Sequence, residues 1–190
     1  SVRGNVLSAS RPQDAIEHGL AYMTKDRKQR GLLLDSRMTP NLTLQSLDRH
    51  VRHIYLDPSS EAEAMARATR RFDIRVRDSR IVAGRMSGGN QQKLLLAKVM
   101  ETEPSIIIID EPTRGIDVGT KQQIYHFISA LAREGKSIII VSSEMPEIIG
   151  LCSRVAVMRE GAITGVLEGD EINEQEIMRF AAGLKRRVAA

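Results

Sequence analysis

The sequence predicts an α/β fold in which a parallel-sheet core is joined to a small helical subdomain. Two patterns predict it. From Pro104 onward, apolar β-branched runs alternate with a stripe of helical period, the strand, helix, strand order of parallel architecture. Upstream, from about Asn41 to Arg71, apolar residues recur at near-helical spacing. Composition agrees, because 42% apolar and 27% charged residues in a chain of 190 make a globular mixture of ordinary domain size.

Each element has its own warrant. Ala21 to Gly31 hold the basic run Lys25-Asp26-Arg27-Lys28-Gln29-Arg30 beside the apolar stretch Leu32 to Leu34, which reads as a loop leaving a strand. Leu42, Leu44, Leu47, Val51 and Ile54 supply the helical spacing of the subdomain, and Ser60 to Arg71 is rich in Ala, Glu and Arg. Ser59 and Ser60, ahead of Glu61 to Glu63, read as a helix start with acids near the positive end of the macrodipole. Ser87 and two glycines lead into a further helix, Leu94 to Met100.

Ile106 to Ile109 suits a strand covered on both faces. Thr120 to Arg133 carries Ile124, Phe127, Ile128 and Leu131 on one helical stripe, with Gly135 as its C-cap. Ser137 to Ser142 is the next buried strand, parallel to the first through a right-handed crossover. Arg154 to Met158 and Ala162 to Leu167, on either side of Glu160-Gly161, read as a hairpin or a pair of edge strands. A terminal helix is expected from about Asn173 to Leu184.

Several function classes recede on composition. One cysteine, Cys152, forms no internal disulfide, which fits a reducing cytoplasm, and the scattered histidines make no metal cluster with it. The apolar runs are far short of the roughly 20 residues that cross a bilayer. The opening SVRGNVLSAS has no secretory apolar stretch, so membrane contact is expected only through a partner. The net charge of +4 is interleaved with acids and reads as solvated surface, while three Tyr, three Phe and no Trp leave few platforms for stacking bases.

The chemistry concentrates in three places. Ile106 to Thr113, IIIIDEPT, puts two carboxylates at the carboxyl end of a strand, the edge where open parallel sheets bind ligands. Asp110 there can position hydrated Mg²⁺, and Glu111 can orient or deprotonate a water attacking a γ-phosphate. The same octet also reads as a strand ending in an acidic turn. Met86 to Lys93, MSGGNQQK, places a hydroxyl and unpaired backbone N–H groups at the positive end of a helix, which suits a phosphate or serves as a plain cap. Arg114-Gly115-Ile116-Asp117 is a glycine-containing turn into a helix.

Together SGGNQQK and the later DEPT resemble the ATP-binding cassette family, whose signature and Walker B segments stand in this order, with RGID in the place of its D-loop. DRKQRGL, SGGNQQK, DEPTRGIDVGTK and SSEMPEI are similar to the carboxyl-terminal cassette of ribose, galactose and xylose importer ATPases. The resemblance implies a P-loop NTPase-like core, Mg²⁺ and ATP as cofactors, and three parts. These are a core strand and Q-loop region at about 1–35, a helical subdomain with the signature at about 36–100, and a core with Walker B, D-loop, switch region and terminal hairpin and helix at about 101–190. Carried over residue by residue, Glu111 is the catalytic acid and Asp110 the metal carboxylate. Ser87, Gly88, Gly89, Asn90 and Gln91 close over ATP held by a partner cassette, Asp117 reaches across the shared sandwich, Ser143 occupies the switch and Lys25 the Q-loop position. The implied partners are a second cassette, a membrane permease and, through it, a periplasmic sugar-binding protein, with no nucleic acid. The implied location is the cytoplasmic face of the plasma membrane.

Three departures stand beside the resemblance. The 190 residues contain no P-loop, because Gly135-Lys136-Ser137 has Ala130 where the first glycine is required and joins a helix to a strand. By comparison with the family, Ser1 falls downstream of that loop. The chain is therefore expected to be a piece of a cassette, truncated on its amino-terminal side, that alone neither binds nor hydrolyses ATP appreciably. Lys25 is a cation and does not ligate Mg²⁺. Ser143 stands where the usual switch histidine would, and a hydroxyl is no tunable proton handler near neutral pH. Two other functions remain open at this point: a non-catalytic half-cassette acting as an interaction module, and a soluble cassette ATPase working on nucleic acid or ribosomes.

Overall fold

The isoleucine run forms the middle strand of a three-stranded parallel sheet in the computed structural model, which describes residues 10–78 and 80–185. The opening SVRGNVLSA, on which the expectation about a leader rests, lies outside the described residues. The chain divides between Val141 and Ser142 into two units.

The first unit begins with α1 (Pro12–Glu17) and β1 (Leu20–Met23), followed by a π-helical turn at Arg27–Gly31. The basic run is thus a loop that leaves β1 and closes into one wide turn, capped by Asp26, whose side chain accepts from the Gln29 N–H. The helical region then runs through α2 (Met38–Thr43), a 3₁₀ turn at Leu47–His50, a two-residue hairpin of β2 (Val51–Arg52) and β3 (Tyr55–Leu56), and α3 (Pro58–Arg71). The hairpin corrects the helical reading of Val51 and Ile54. Its turn takes His53 at φ 61°, a left-handed conformation that ends any helix. The start of α3 is corrected too. Asp57 is the N-cap and accepts from Ser59 N–H and Ser60 N–H, with Pro58 at the first helical position, where its missing N–H costs nothing.

Helix α4 (Gly88–Glu101) is the axis of this unit, with every residue from Gln91 to Met100 buried. It packs against β1, the π-helical turn, α2 and α3. β4 (Ile106–Asp110) pairs in parallel with β1 on one side and β5 (Ser137–Val141) on the other, giving the order β1-β4-β5. Between them, α5 (Val118–Arg133) buries Ile124, Ile128 and Leu131 on the expected stripe. Its C-terminal glycine, Gly135, sits at φ 84°, a conformation that side chains resist.

The second unit holds α6 (Met145–Leu151), an element the sequence reading did not anticipate, then the antiparallel pair β6 (Arg154–Arg159) and β7 (Ala162–Glu168). Glu160 and Gly161, both at positive φ, make the turn. The unit ends in α7 (Glu174–Ala181), capped by Asn173. Val155, Val157, Leu167, Ile177 and Phe180 form its core.

Candidate functional site

The sheet register decides how Asp110 is held. Tyr22 on β1 pairs with Ile108, so its side chain lies on the same face as the residue two further along β4, which is Asp110. The Tyr22 hydroxyl donates to Asp110 Oδ2 at 2.9 Å. That bond raises the Tyr22 pKa, with burial a lesser cause, because losing the phenolic proton would set two anions face to face. Glu111 follows at φ 48°, its N–H donating to the Val141 carbonyl of β5 at 2.8 Å. The two carboxylates therefore sit at the carboxyl end of the middle strand, on a turn bent sharply away from β4. Gln92 of α4 is buried and donates to the Pro112 carbonyl at 2.6 Å, which ties this turn to the helix.

The second group of residues gathers at the amino-terminal ends of two helices. Ser87 caps α4, accepting from Asn90 N–H at 3.3 Å and from the Asn90 amide at 3.1 Å. Asp117 caps α5, accepting from Thr120 N–H at 2.9 Å and from the Thr120 hydroxyl at 2.8 Å. These bonds lower the Asp117 pKa. Gly89 has no room for a side chain, since a Cβ there would lie 2.6 Å from Thr120 Oγ1. The close approach of α4 to α5 leaves Ser87, Gly89, Asn90 and Asp117 around one open cavity of about 280 Å³, which Arg75 and Lys93 also line. Asn90 fixes the Arg75 backbone there, exchanging two hydrogen bonds of 2.9 Å with its N–H and carbonyl.

The remaining candidate residues are placed differently. Gln91 is buried and spends its amide on the carbonyls of Ala83 (3.1 Å) and Met86 (3.3 Å), while its Oε1 accepts from Arg27. Gly88 sits against Arg27, whose guanidinium also donates to the Arg114 and Gly115 carbonyls at 3.0 and 3.2 Å. Arg27 thus joins the basic segment, the SGG turn and the RGID turn. Lys25 is exposed, and Ser143 belongs to the second unit. Sequence reasoning missed Tyr22 and Arg27. Tyr22 could have been found by aligning the two strands in parallel, whereas nothing local marks Arg27 among its basic neighbours.

No group of three or more His, Cys, Asp or Glu that could hold a metal ion occurs among the described residues. A lone Asp110 suits Mg²⁺ of the kind carried largely by phosphate oxygens and water with one or two protein carboxylates.

Comparison with known proteins decides the family. The model of the ABC transporter family matches residues 4–114, more than half of the chain. The chain belongs to the ABC transporter family. It is 44% identical over 197 aligned positions to the ribose import ATP-binding protein RbsA 1 of Burkholderia cenocepacia, a match covering 99% of this chain and 38% of that protein. It is 39% identical to the ribose import ATP-binding protein RbsA of Lactococcus lactis, covering 96% of this chain and 37% of that one. The chain therefore spans under two-fifths of the length of these relatives. Among solved structures, a dimeric ATP-binding cassette in a post-hydrolysis state with ADP and Pi superposes with a TM-score of 0.71 at 16% identity, covering 85% of this chain and 68% of that one. A nucleotide-free ATP-binding cassette gives the same score and identity, covering 88% and 68%. These establish the cassette fold, with its parallel sheet and helices. Within that fold Ser87 of SGGNQQK caps α4, and Asp110 of DEPT ends β4.

Proposed function

We propose that this cassette is the ATP-binding subunit of a bacterial sugar importer, or a part of it, and couples Mg-ATP binding and hydrolysis to carbohydrate uptake through a membrane permease. The relatives named for ribose import support the sugar class. The observation that carries the reading is the cavity shared by Ser87, Gly89, Asn90 and Asp117 at two helix ends. Helix ends and a hydroxyl present donors to phosphate but cradle no triphosphate alone. The ATP met by this face is therefore held by a second cassette, fused or dimeric.

In this reading Asp110 would hold Mg²⁺, which would neutralise phosphate charge when bound. Tyr22 keeps Asp110 in one orientation, and Glu111 orients the attacking water. Lys25 leaves the Q-loop position without a metal ligand, so this half-site is weaker than its counterpart. The subunit works on the cytoplasmic face of the plasma membrane, held there by the permease, which receives sugar from a periplasmic binding protein.

The test is uptake of ribose by the source organism carrying Ser87→Arg, which fills the cavity while the chain still accumulates. The expected result is a loss of about tenfold or more, the scale of one lost charge-assisted interaction or greater. Unchanged uptake would remove the reading.

A further inference from the structure

Arg27 is the basic residue of its segment that the fold takes inward. Lys25, Lys28 and Arg30 are exposed, whereas Arg27 is half-buried, and burial lowers its pKa from the ordinary arginine value. The π-helical turn fixes where its side chain starts. The Arg27 carbonyl accepts from Leu32 N–H at 2.8 Å, and Gly31 lies so near α4 that a Cβ there would stand 3.1 Å from Leu95. From that anchor the guanidinium reaches acceptors in two other segments: Gln91 Oε1 at 3.3 Å, the Arg114 carbonyl at 3.0 Å and the Gly115 carbonyl at 3.2 Å.

These acceptors are themselves held. The Gln91 amide is spent on the Ala83 and Met86 carbonyls, which fixes its Oε1. Arg114 N–H donates to the Glu111 carbonyl at 3.2 Å, and Gly115 turns the chain at φ 68°. A planar fork with fixed donor directions matches two successive carbonyls, as a single ammonium does not. Gly88 leaves the guanidinium its seat, since a Cβ there would lie 2.9 Å from Arg27 Nη2. The two caps that face the cavity stand beside these contacts, Ser87 directly before Gly88 and Asp117 shortly after Gly115.

We propose that Arg27 is a positioning residue that holds the SGG turn and the RGID turn at one spacing, so that Ser87 and Asp117 meet nucleotide as a single preformed face. The proposal rests on the reading of that face as nucleotide-facing. Arg27 itself touches no nucleotide in it and acts through Gln91 and the two carbonyls. Without the fork α4 and α5 keep their packing at Gly89 and Thr120, but the turns ahead of them fluctuate separately. A nucleotide that must order both turns on arrival binds more weakly, because the ordering cost is subtracted from the contacts it gains.

The test has two arms. Amide hydrogen exchange on the 190-residue chain compares the wild type with Arg27→Met, which keeps the aliphatic stem and removes the donors. The Arg114, Thr120 and Asn90 amides should exchange severalfold faster, the scale of a hydrogen bond lost from a local opening, while Leu94 to Val99 inside α4 keep their rates. Arg27→Lys, which keeps the charge but not the fork, should behave like Arg27→Met. Gly88→Ala, which crowds the guanidinium, should speed Arg114 and Thr120 and carries the test if Arg27→Met fails to fold. The second arm measures ATP hydrolysis by the full-length subunit with its permease in membranes of the source organism. Arg27→Met should raise KM for Mg-ATP at least about fivefold and leave kcat within about twofold, whereas a mere loss of folded protein would lower kcat at constant KM. Unchanged rates at those amides, equal acceleration inside α4, full restoration by lysine, or an unchanged KM would each overturn the proposal. Exchange needs neither nucleotide nor sugar, so it judges Arg27 whatever the Ser87→Arg uptake experiment says of the importer.

Discussion

Gly89 sits where two helices come too close for any other residue. A Cβ at that position would press on Thr120, whose hydroxyl is locked by Asp117, so the neighbour cannot swing away without losing its hydrogen bond. Gly89→Ala should therefore cost about 1–3 kcal/mol, the range for overpacking, in urea denaturation. Adding Thr120→Ala should cost less than the sum of the two single changes, and strict additivity would contradict the contact. Lys98 makes a second prediction at this scale. Burial depresses its folded pKa below the ordinary lysine value, so between that depressed value and the unfolded one the unfolded chain binds more protons. Stability should rise with pH through this window and fall again as pH drops through the folded pKa. The stability of the wild type relative to Lys98→Met should grow as pH rises toward the unfolded lysine value of about 10.4, and a pH-independent difference would show the ammonium to be well solvated.

At the scale of elements, the sequence was most readable where one physical signal dominated. The isoleucine strand, the stripe of α5, the Gly135 cap and the terminal hairpin each follow from β-branching, period or turn chemistry alone. The region 47–60 misled because Val51 and Ile54 fall on a helical spacing that the left-handed His53 breaks. The start of α3 was misplaced for a related reason: Ser59 and Ser60 are good capping residues, yet Asp57 followed by Pro58 caps earlier. Asp57→Ala should accordingly destabilise the chain by about 0.5–2 kcal/mol, and Ser59→Ala by less than about 0.5 kcal/mol, as read from denaturation midpoints. The reverse order would move the cap. Among the candidate residues, Ser87 was legible as a helix cap because a hydroxyl ahead of two glycines opens α4. Tyr22 and Arg27 were not, because each acts across more than 60 residues of chain, Tyr22 on Asp110 and Arg27 on Gln91 and Gly115. Such pairings exist only once β1 lies beside β4 and the basic segment beside α4.

At the scale of the whole chain, β5 is an open edge of the described core sheet. β5 pairs with β4 alone among the described strands, and its Ile139 and Val141 are 53% and 52% exposed. A short apolar strand with an open row of N–H and C=O groups templates association. Sedimentation of the chain should show concentration-dependent oligomers, and Ile139→Lys should shift the population toward monomer; a monomer at every concentration would show the edge to be protected. The same sheet sets the functional expectation, since the 190 residues hold SGGNQQK, RGID and DEPT but no glycine-rich loop to wrap a triphosphate. Charge-assisted hydrogen bonds contribute roughly 1.5–3 kcal/mol each, and micromolar affinity totals only about 8 kcal/mol, so losing several phosphate contacts removes useful binding. Calorimetric titration of the purified chain with Mg-ATP measures this most directly. The account predicts no saturable heat at micromolar to sub-millimolar nucleotide, and a micromolar dissociation constant for the chain alone would contradict it.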